Sequence, residues 1–588
     1  MRLRYVHLEN YPPIKDMAVR FASGSPLNRK CAIRFVVGVN GSGKSNLLRA
    51  VAEVFLALAD ERLPPFPVSL VYELGQRDTS GHHTFVIDCP GSKSKASIWV
   101  SDGFYWPDAA DADDFSDFIE FIRTNPDSAP DGFSAYIKQG AWPQSAGIAM
   151  PKAVLAYTTG DLKPWSTIWN RNQDADGVNT ETDEAEENTI DERPAGWTTA
   201  QEAAYQTMKS SNKNENGNLS DKSESLLKTS LFRRPILLDH TLLKCALFAV
   251  ALPQAFTAIS QNGDNIESTD SSLQHLLERG GWHHLVSVGF RCHMQLNSWS
   301  RTLRETAHDW FLSAGEVIRL PHPTETHRVL YFDLKGRFSG QSATPLITDK
   351  SLTLCSTQGE ALLELLGGKE ATAFERFTIL ANLRNTGLFQ DIELRLRSLN
   401  RSESMQDSDA AAIDVGVLRY EELSDGEQMV LGRMALFHLL KGQENALLLL
   451  DEPETHFNDK WKREIIDIID DAIKDTANDV LISTHSAIVL SDVFNDEIVM
   501  VVKNTDGSEA RSVDEQTFAT DPSAIMMTVF GADDSIGKRA QEYIEELLQK
   551  ASGSTEDIGQ LKALVKRMGS GFYRSELRTL LGRWEKNA

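Results

Sequence analysis

The feature that most narrows the folds open to this chain is a short run, Gly38-Val39-Asn40-Gly41-Ser42-Gly43-Lys44-Ser45, set between an apolar strand and a helix. Ala32-Ile33-Arg34-Phe35-Val36-Val37 has the length and character of a strand. From Asn46 to Leu56 apolar residues recur at helical spacing, with no proline before Pro64. The pattern G-x-x-x-x-G-K-[ST] in the order strand, loop, helix is a phosphate cradle. Its glycines let the backbone amides from Asn40, Gly41 and Gly43 to Asn46 fold around phosphate oxygens while the helix points its positive end at them. Lys44 reaches the β and γ phosphates, and the Ser45 hydroxyl can ligate magnesium.

Three further motifs lie more than 350 residues later. Asn445-Ala446-Leu447-Leu448-Leu449-Leu450-Asp451-Glu452-Pro453-Glu454 reads as a buried strand that ends in adjacent carboxylates. Because successive strand residues face opposite ways, Asp451 can hold a magnesium shell while Glu452 faces the γ phosphate and polarises a water. Tyr420-Glu421-Glu422-Leu423-Ser424-Asp425-Gly426-Glu427-Gln428 precedes a helical run from Met429 to Leu440 and makes a second anion-binding helix start. Finally, Asp479-Val480-Leu481-Ile482-Ser483-Thr484-His485-Ser486 is a strand that delivers a histidine at its end.

Composition removes other classes. With 588 residues, 41% hydrophobic and 24% charged, the chain is neither a single small module nor disordered throughout. Its net charge of -24 argues against coating nucleic acid over the whole surface, leaving only a local basic groove. Five scattered cysteines carry no zinc spacing, and the cluster His283, His284, Cys292 and His293 suits a strand and turn better than a metal site. The longest apolar stretch of the middle, Ala246 to Leu252, is too short for a membrane span, and the start of the chain lacks a signal core, so a cytoplasmic protein is expected. Prolines punctuate the middle, which excludes long coiled-coil arms. Nine acidic and no basic residues between Asp174 and Glu192 predict a mobile loop, and Ser210 to Ser225 is equally polar. Helices are expected at Ile236 to Leu252 and Glu360 to Leu366, and a strand at Arg328 to Leu334. Arg395, Arg397 and Arg401 alternate with leucines as a basic strand face would. In the tail, Lys562, Lys566, Arg567, Arg574, Arg578, Arg583 and Lys586 oppose only Glu576 and Glu585, with Phe572, Tyr573 and Trp584 interleaved. That pattern fits either an anionic partner or a terminal helix packed on its own body.

The ordered set of glycine loop, LSxGE-type signature, LLLLDEPE strand and STHS segment resembles the ABC-type ATPases of the SMC/RecF/OLD group, over residues 1 to 60 and 415 to 500. The resemblance implies an α/β fold: an ATPase head formed from N- and C-terminal lobes, with a mostly helical inserted domain. It divides the chain into a lobe at 1–165, an acidic and polar linker at 166–226, the insert at 227–410, a second lobe at 411–530 and a helical basic tail at 531–588. It further implies ATP and magnesium as ligands, with two heads, or a higher assembly of them, closing face to face. Ser424, Gly426 and Glu427 of one head would meet the γ phosphate held by Lys44 of the other. His485 would be the switch histidine, Thr455 to Asp459 the seam loop, and Gln139 the glutamine between lobes, with Gln76 and Gln144 as competitors. A toprim nuclease does not fit in the segment after Met500. That segment, from Met527 to Asp533 and the helix after it, resembles the tails of stand-alone defence ATPases of the Septu type. Such proteins work with a separate effector, here expected to be an HNH-type nuclease acting on DNA in anti-phage defence. A RecF-like repair ATPase is the alternative, and an ABC transporter subunit is disfavoured by the split lobes and the large insert.

Overall fold

The computed structural model describes residues 1–22, 29–77, 79, 81–92, 95–108, 110–137, 150–170, 234–253, 282–293, 299, 301–320, 327–338, 352, 354–398, 416–505, 507–532, 536–550, 554–569 and 571–587. Gln139, Gln144, Arg401 and the polar stretches Asp174 to Glu192 and Ser210 to Ser225 lie outside them. Residues Met1–Thr520 and Asp521–Ala588 form two compact units.

The first unit is organised on a seven-stranded sheet. From edge to edge its strands are Gly507–Ser512, Ile498–Asn504, Ala32–Val37, Asp479–Thr484, Ala446–Asp451, Ala153–Thr158 and Ile236–Leu238. All neighbours are parallel except the outermost pair Gly507–Ser512 and Ile498–Asn504. Parallel strands are buried on both faces, and Ala32–Val37, Ala446–Asp451 and Asp479–Thr484 are buried at every position, as their unbroken apolar runs require. The central strand comes from residues near 480 and one of its neighbours from residues near 35, so both lobes build one sheet.

A six-stranded antiparallel sheet lies on the other side of the helix Lys44–Ala59. Its order is Ile14–Arg20, Arg2–Tyr11, Val68–Leu74, His83–Cys89, Ser97–Asp102 and Ser134–Ile137. Leu47, Leu48, Val51, Val54 and Phe55 of that helix share one apolar core with Leu3, Val6, Leu70 and Phe85 of this sheet and with Val36, Leu447, Leu449 and Leu481 of the parallel one. The helix is therefore buried nearly all round, which explains why its apolar residues exceed a single stripe. On the far face of the antiparallel sheet, Phe115, Ile119 and Ile122 of the helix Ala112–Thr124 pack on Tyr5, Val71, Val86 and Trp99.

The insert adds a five-stranded antiparallel sheet to the helices expected there. Its order is Glu316–Arg319, His327–Asp333, Trp282–His293, Asp391–Ser398 and Val417–Arg419. Phe290 sits at its centre, with ring centroids 4.8 Å from Trp310, 5.3 Å from Phe389 and 5.8 Å from both Phe332 and Phe248. The expected helix from Ile236 to Leu252 is divided in two. Asp239 caps a helix at His240–Ala251 by accepting the Leu242 amide, which leaves Ile236–Leu238 to pair with Ala153–Thr158 as an edge strand. In the second unit, helices Lys538–Lys550, Thr555–Arg567 and Phe572–Asn587 enclose Ile544, Ile558, Leu561, Val565, Leu577 and Leu581, with Tyr573 and Trp584 packed against them. Those two rings are thus engaged in packing, and Lys562 pairs with Glu585. Among the described residues, no helix is long and apolar enough to cross a membrane, and no three or more His, Cys, Asp or Glu side chains gather as a metal-holding group.

The two lobes are locked by a buried ion pair. Arg34 donates to Asp479 Oδ2 at 2.7 Å and to the Leu3 carbonyl at 2.7 Å, while Asp479 Oδ2 also accepts the Leu3 amide at 2.5 Å. Both side chains are at most 4% exposed, so removing one partner strands the other in the core. We expect Asp479→Ala to cost about 3–5 kcal/mol of unfolding free energy, measured by urea denaturation followed by tryptophan fluorescence. A loss under about 1 kcal/mol would show that Arg34 finds other compensation.

Candidate functional site

The glycine loop joins the C-terminal end of the strand Ala32–Val37 to the N-terminus of the helix Lys44–Ala59, at the end of the parallel sheet where ligands of open α/β folds bind. Gly38 has φ 151°, and a Cβ there would stand 2.2 Å from the Val501 carbonyl oxygen of the neighbouring strand, so no other residue fits. Gly43, at φ 110°, caps the helix without a side chain. Lys44 is 5% exposed, and its ammonium donates to the carbonyls of Gly38 at 2.9 Å and Val39 at 3.3 Å. Burial pushes this ammonium below its ordinary pKa, against the pull of Glu452, Asp451 and Glu454. Asn40 and Gly41 are exposed at the tip. Asn46 donates to the Pro12 carbonyl at 3.3 Å and accepts from Arg49.

Asp451 gathers three hydroxyls. Ser45 Oγ donates to its Oδ1 at 2.8 Å, Ser483 Oγ to the same oxygen at 2.5 Å, and Thr158 Oγ1 to Oδ2 at 3.1 Å. A serine hydroxyl beside a carboxylate oxygen is a hard-oxygen pair of the kind magnesium takes, so these two residues fit that ion. The next residue, Glu452, has φ 51°, a left-handed conformation that costs a non-glycine residue of order 1 kcal/mol or more. Its backbone is held there by donation to Ser483 O at 3.0 Å and Ser483 Oγ at 3.1 Å, and by Thr159 Oγ1 donating to its carbonyl at 3.0 Å. The outcome is that the Glu452 side chain turns away from Asp451 and places Oε1 3.1 Å from His485 Nδ1. Lys44, Ser45, Asp451, Glu452 and His485 thus converge on one end of the sheet.

Ser424, Gly426 and Glu427 lie apart from this group. Ser424 caps the helix Asp425–Leu439 in a reciprocal capping box: Glu427 accepts from the Ser424 amide at 2.9 Å and hydroxyl at 2.7 Å. Ser424 and Glu427 are exposed, and among the described residues no hydrogen bond or ion pair joins the three to the glycine loop. The helix His240–Ala251 of the insert lies against this signature helix. Its buried Lys244 pairs with Glu421 at 2.9 Å, just before the signature, and with Asp391 at 2.7 Å, at the start of an insert strand. Against the upward push of burial, Lys244 holds the Asp391 carboxyl below its ordinary value. Of the glutamines weighed as the link between lobes, Gln76 is exposed and donates to Glu444 at 3.2 Å, while Gln139 and Gln144 fall outside the described residues.

Several residues of this site carry roles that no motif assigned. Thr158, Thr159 and Ser483 set the Asp451–Glu452 turn, and Arg433, buried in the signature helix, reaches the segment after it. Arg433 donates to the Pro453 carbonyl, to the Thr455 carbonyl at 2.8 Å and to the Tyr157 hydroxyl at 3.0 Å, and its guanidinium lies 4.7 Å from the Phe457 ring centre. An arginine amid the apolar run of a helix was the available signal.

Residues 366–492, which include Ser424, Asp451, Glu452 and His485, match a family model described as "AAA domain, putative AbiEii toxin, Type IV TA system". No curated protein matches the chain. Among solved structures it is similar to the Smc head domain with an extended coiled coil bound to the C-terminal domain of ScpA, from Pyrococcus furiosus. That match has 14% identity over 87% of this chain and 96% of the other, with a TM-score of 0.28. It is also similar to the SMC head domain from Thermotoga maritima, with 10% identity over 88% and 100% of the two chains and a TM-score of 0.27. The fold is α/β: a mostly parallel sheet assembled from the N-terminal and C-terminal parts of the chain.

Proposed function

We propose that this chain binds ATP with magnesium in the glycine loop and hydrolyses it, and that nucleotide-driven pairing of two heads controls a DNA-directed effector. The observation that carries the hydrolytic reading is the 3.1 Å contact between Glu452 and His485, one residue from the Ser45–Asp451 pair and beside the Lys44 ammonium. In this reading Lys44 exchanges the Gly38 and Val39 carbonyls for phosphate oxygens, an exchange its partial desolvation favours. Ser45 and Asp451 would hold magnesium, which would offset the charge on the phosphates. Glu452 accepts a proton from the attacking water, and His485 steadies that carboxylate. Gln139 would complete the site from the first lobe.

Among the described residues, the Ser424 and Glu427 side chains have no hydrogen-bond partner beyond their shared capping box, which supports a role across two chains. Ser424, Gly426 and Glu427 of one copy would meet the γ phosphate held by Lys44 of the other. The family description, "putative AbiEii toxin, Type IV TA system", supports a setting in bacterial defence, in which the effector would be a separate nuclease, over general repair.

Lys44→Ala should abolish ATP binding by equilibrium dialysis. Glu452→Gln should bind ATP normally but turn it over slower by roughly two to four orders of magnitude, since only the proton acceptor is lost. Wild-type turnover by Glu452→Gln would remove the glutamate from the mechanism. In light scattering, Glu452→Gln with ATP and magnesium should be more dimeric than the nucleotide-free protein, and adding Ser424→Arg should reverse this. A nucleotide-independent monomer would remove the two-chain site.

A further inference from the structure

The last residue of Asp451-Glu452-Pro453-Glu454 has no part in the chemistry above, yet it is more deeply buried than its neighbours. Glu454 is 2% exposed and accepts the hydroxyl proton of Thr484, itself fully buried. Burial holds the Glu454 carboxyl above the usual carboxylate range, against the hydrogen bond from Thr484. Its second oxygen, Oε2, is buried with no hydrogen-bond partner. A buried acid satisfied at one oxygen only is costly, and an apolar pair of similar shape would serve stability as well.

What the pair accomplishes lies one residue further on. Thr484 Oγ1 also accepts the Ser486 amide at 3.0 Å, so a single hydroxyl brackets His485 on both sides. Glu454 fixes which way that hydroxyl points. Glu454 itself is immobilised because Arg433 grips the carbonyls on either side of it, those of Pro453 and Thr455. By contrast the His485 side chain is 53% exposed, so its placement against Glu452 depends on the backbone that carries it.

We propose that Glu454 and Thr484 are positioning residues for ATP hydrolysis: Glu454 orients the Thr484 hydroxyl, which holds the turn that presents His485 to Glu452. The inference rests on the hydrolytic reading of those last two residues. A displacement near 1 Å at a reacting group is enough to slow a reaction by about 100-fold, without any loss of substrate binding.

The test compares kcat, KM and ATP affinity, measured by equilibrium dialysis, in four variants of the full chain. Thr484→Val should lower kcat roughly 10- to 100-fold with ATP affinity unchanged. Thr484→Ser and Glu454→Gln, which keep the hydroxyl and an acceptor for it, should restore kcat to within about threefold of wild type. The double variant Glu454→Met/Thr484→Val removes both members of the buried pair, leaving only the partly exposed Ser486 amide without its acceptor, and should melt within a few degrees of wild type, yet be as slow as Thr484→Val. It carries the test if the single valine variant does not fold. Wild-type kcat in the double variant, an equal loss of ATP affinity, or failure of Thr484→Ser to restore turnover would each overturn the positioning role. Absence of Lys44-dependent turnover in the wild-type chain would instead overturn the hydrolytic reading on which it rests.

Discussion

A single carboxylate, Asp451, ties together parts of the chain that synthesis sets hundreds of residues apart. Its two oxygens accept hydroxyls from Ser45 at the start of the loop helix, Thr158 at the end of one flanking strand and Ser483 at the end of the other. Each donor sits where it does because the strands beneath are paired in parallel register, with Asp451 opposite both Thr158 and Ser483. The same register fixes the Glu452 backbone through Ser483 and Thr159. The left-handed turn that aims Glu452 at His485 is therefore a product of sheet pairing, and its strain is borne by a sheet buried on both faces.

The parts of this arrangement that local patterns control were legible in the sequence. The glycine loop could be placed because its two flanks have distinct periodicities, and the strands at Ala32–Val37, Ala446–Asp451 and Asp479–Thr484 because buried parallel strands are uninterrupted apolar runs. Thr158, Ser483 and Arg433 were not legible, since what each does depends on a partner distant in sequence. Arg433 in particular has the spacing of a core leucine, and only the structure shows carbonyls at its tip. The sheet of the insert was legible only in part: strands were expected near Arg328 to Leu334, around His283 to His293 and along Arg395 and Arg397, but not their joining into one sheet. Its central strand Trp282–His293 mixes histidine, serine and arginine among apolar residues, and irregularities at Trp282/His284 and Leu285/Ser287 break the two-residue period. At Ile236 the pattern was correct for the helix but silent about Asp239, whose capping side chain moves the boundary.

The insert and the signature share a boundary built from ionic as well as apolar contacts. Leu243 packs close to Gly432, where a side chain would crowd it, and His240 lies against the Tyr420 ring with centroids 5.8 Å apart. Buried Lys244 is paired with both Glu421 and Asp391, so loss of both carboxylates would leave its charge unpaired in the core. The signature helix and the turn before it are thus tied to the insert on one side and, through Arg433, to the segment after Glu452 on the other.

Because the strand Ala32–Val37 lies between Ile498–Asn504 and Asp479–Thr484, neither of its hydrogen-bonding edges has a partner until about 440 further residues have left the ribosome. At 5–20 residues per second that interval is roughly 20 to 90 seconds. During it the antiparallel sheet of the first lobe can form from its own hairpins, while a largely apolar strand and the loop helix wait with their cores uncovered. Such a gap exposes the nascent chain to aggregation, and it makes the folding of this head, far more than its final stability, dependent on what shields that strand during synthesis.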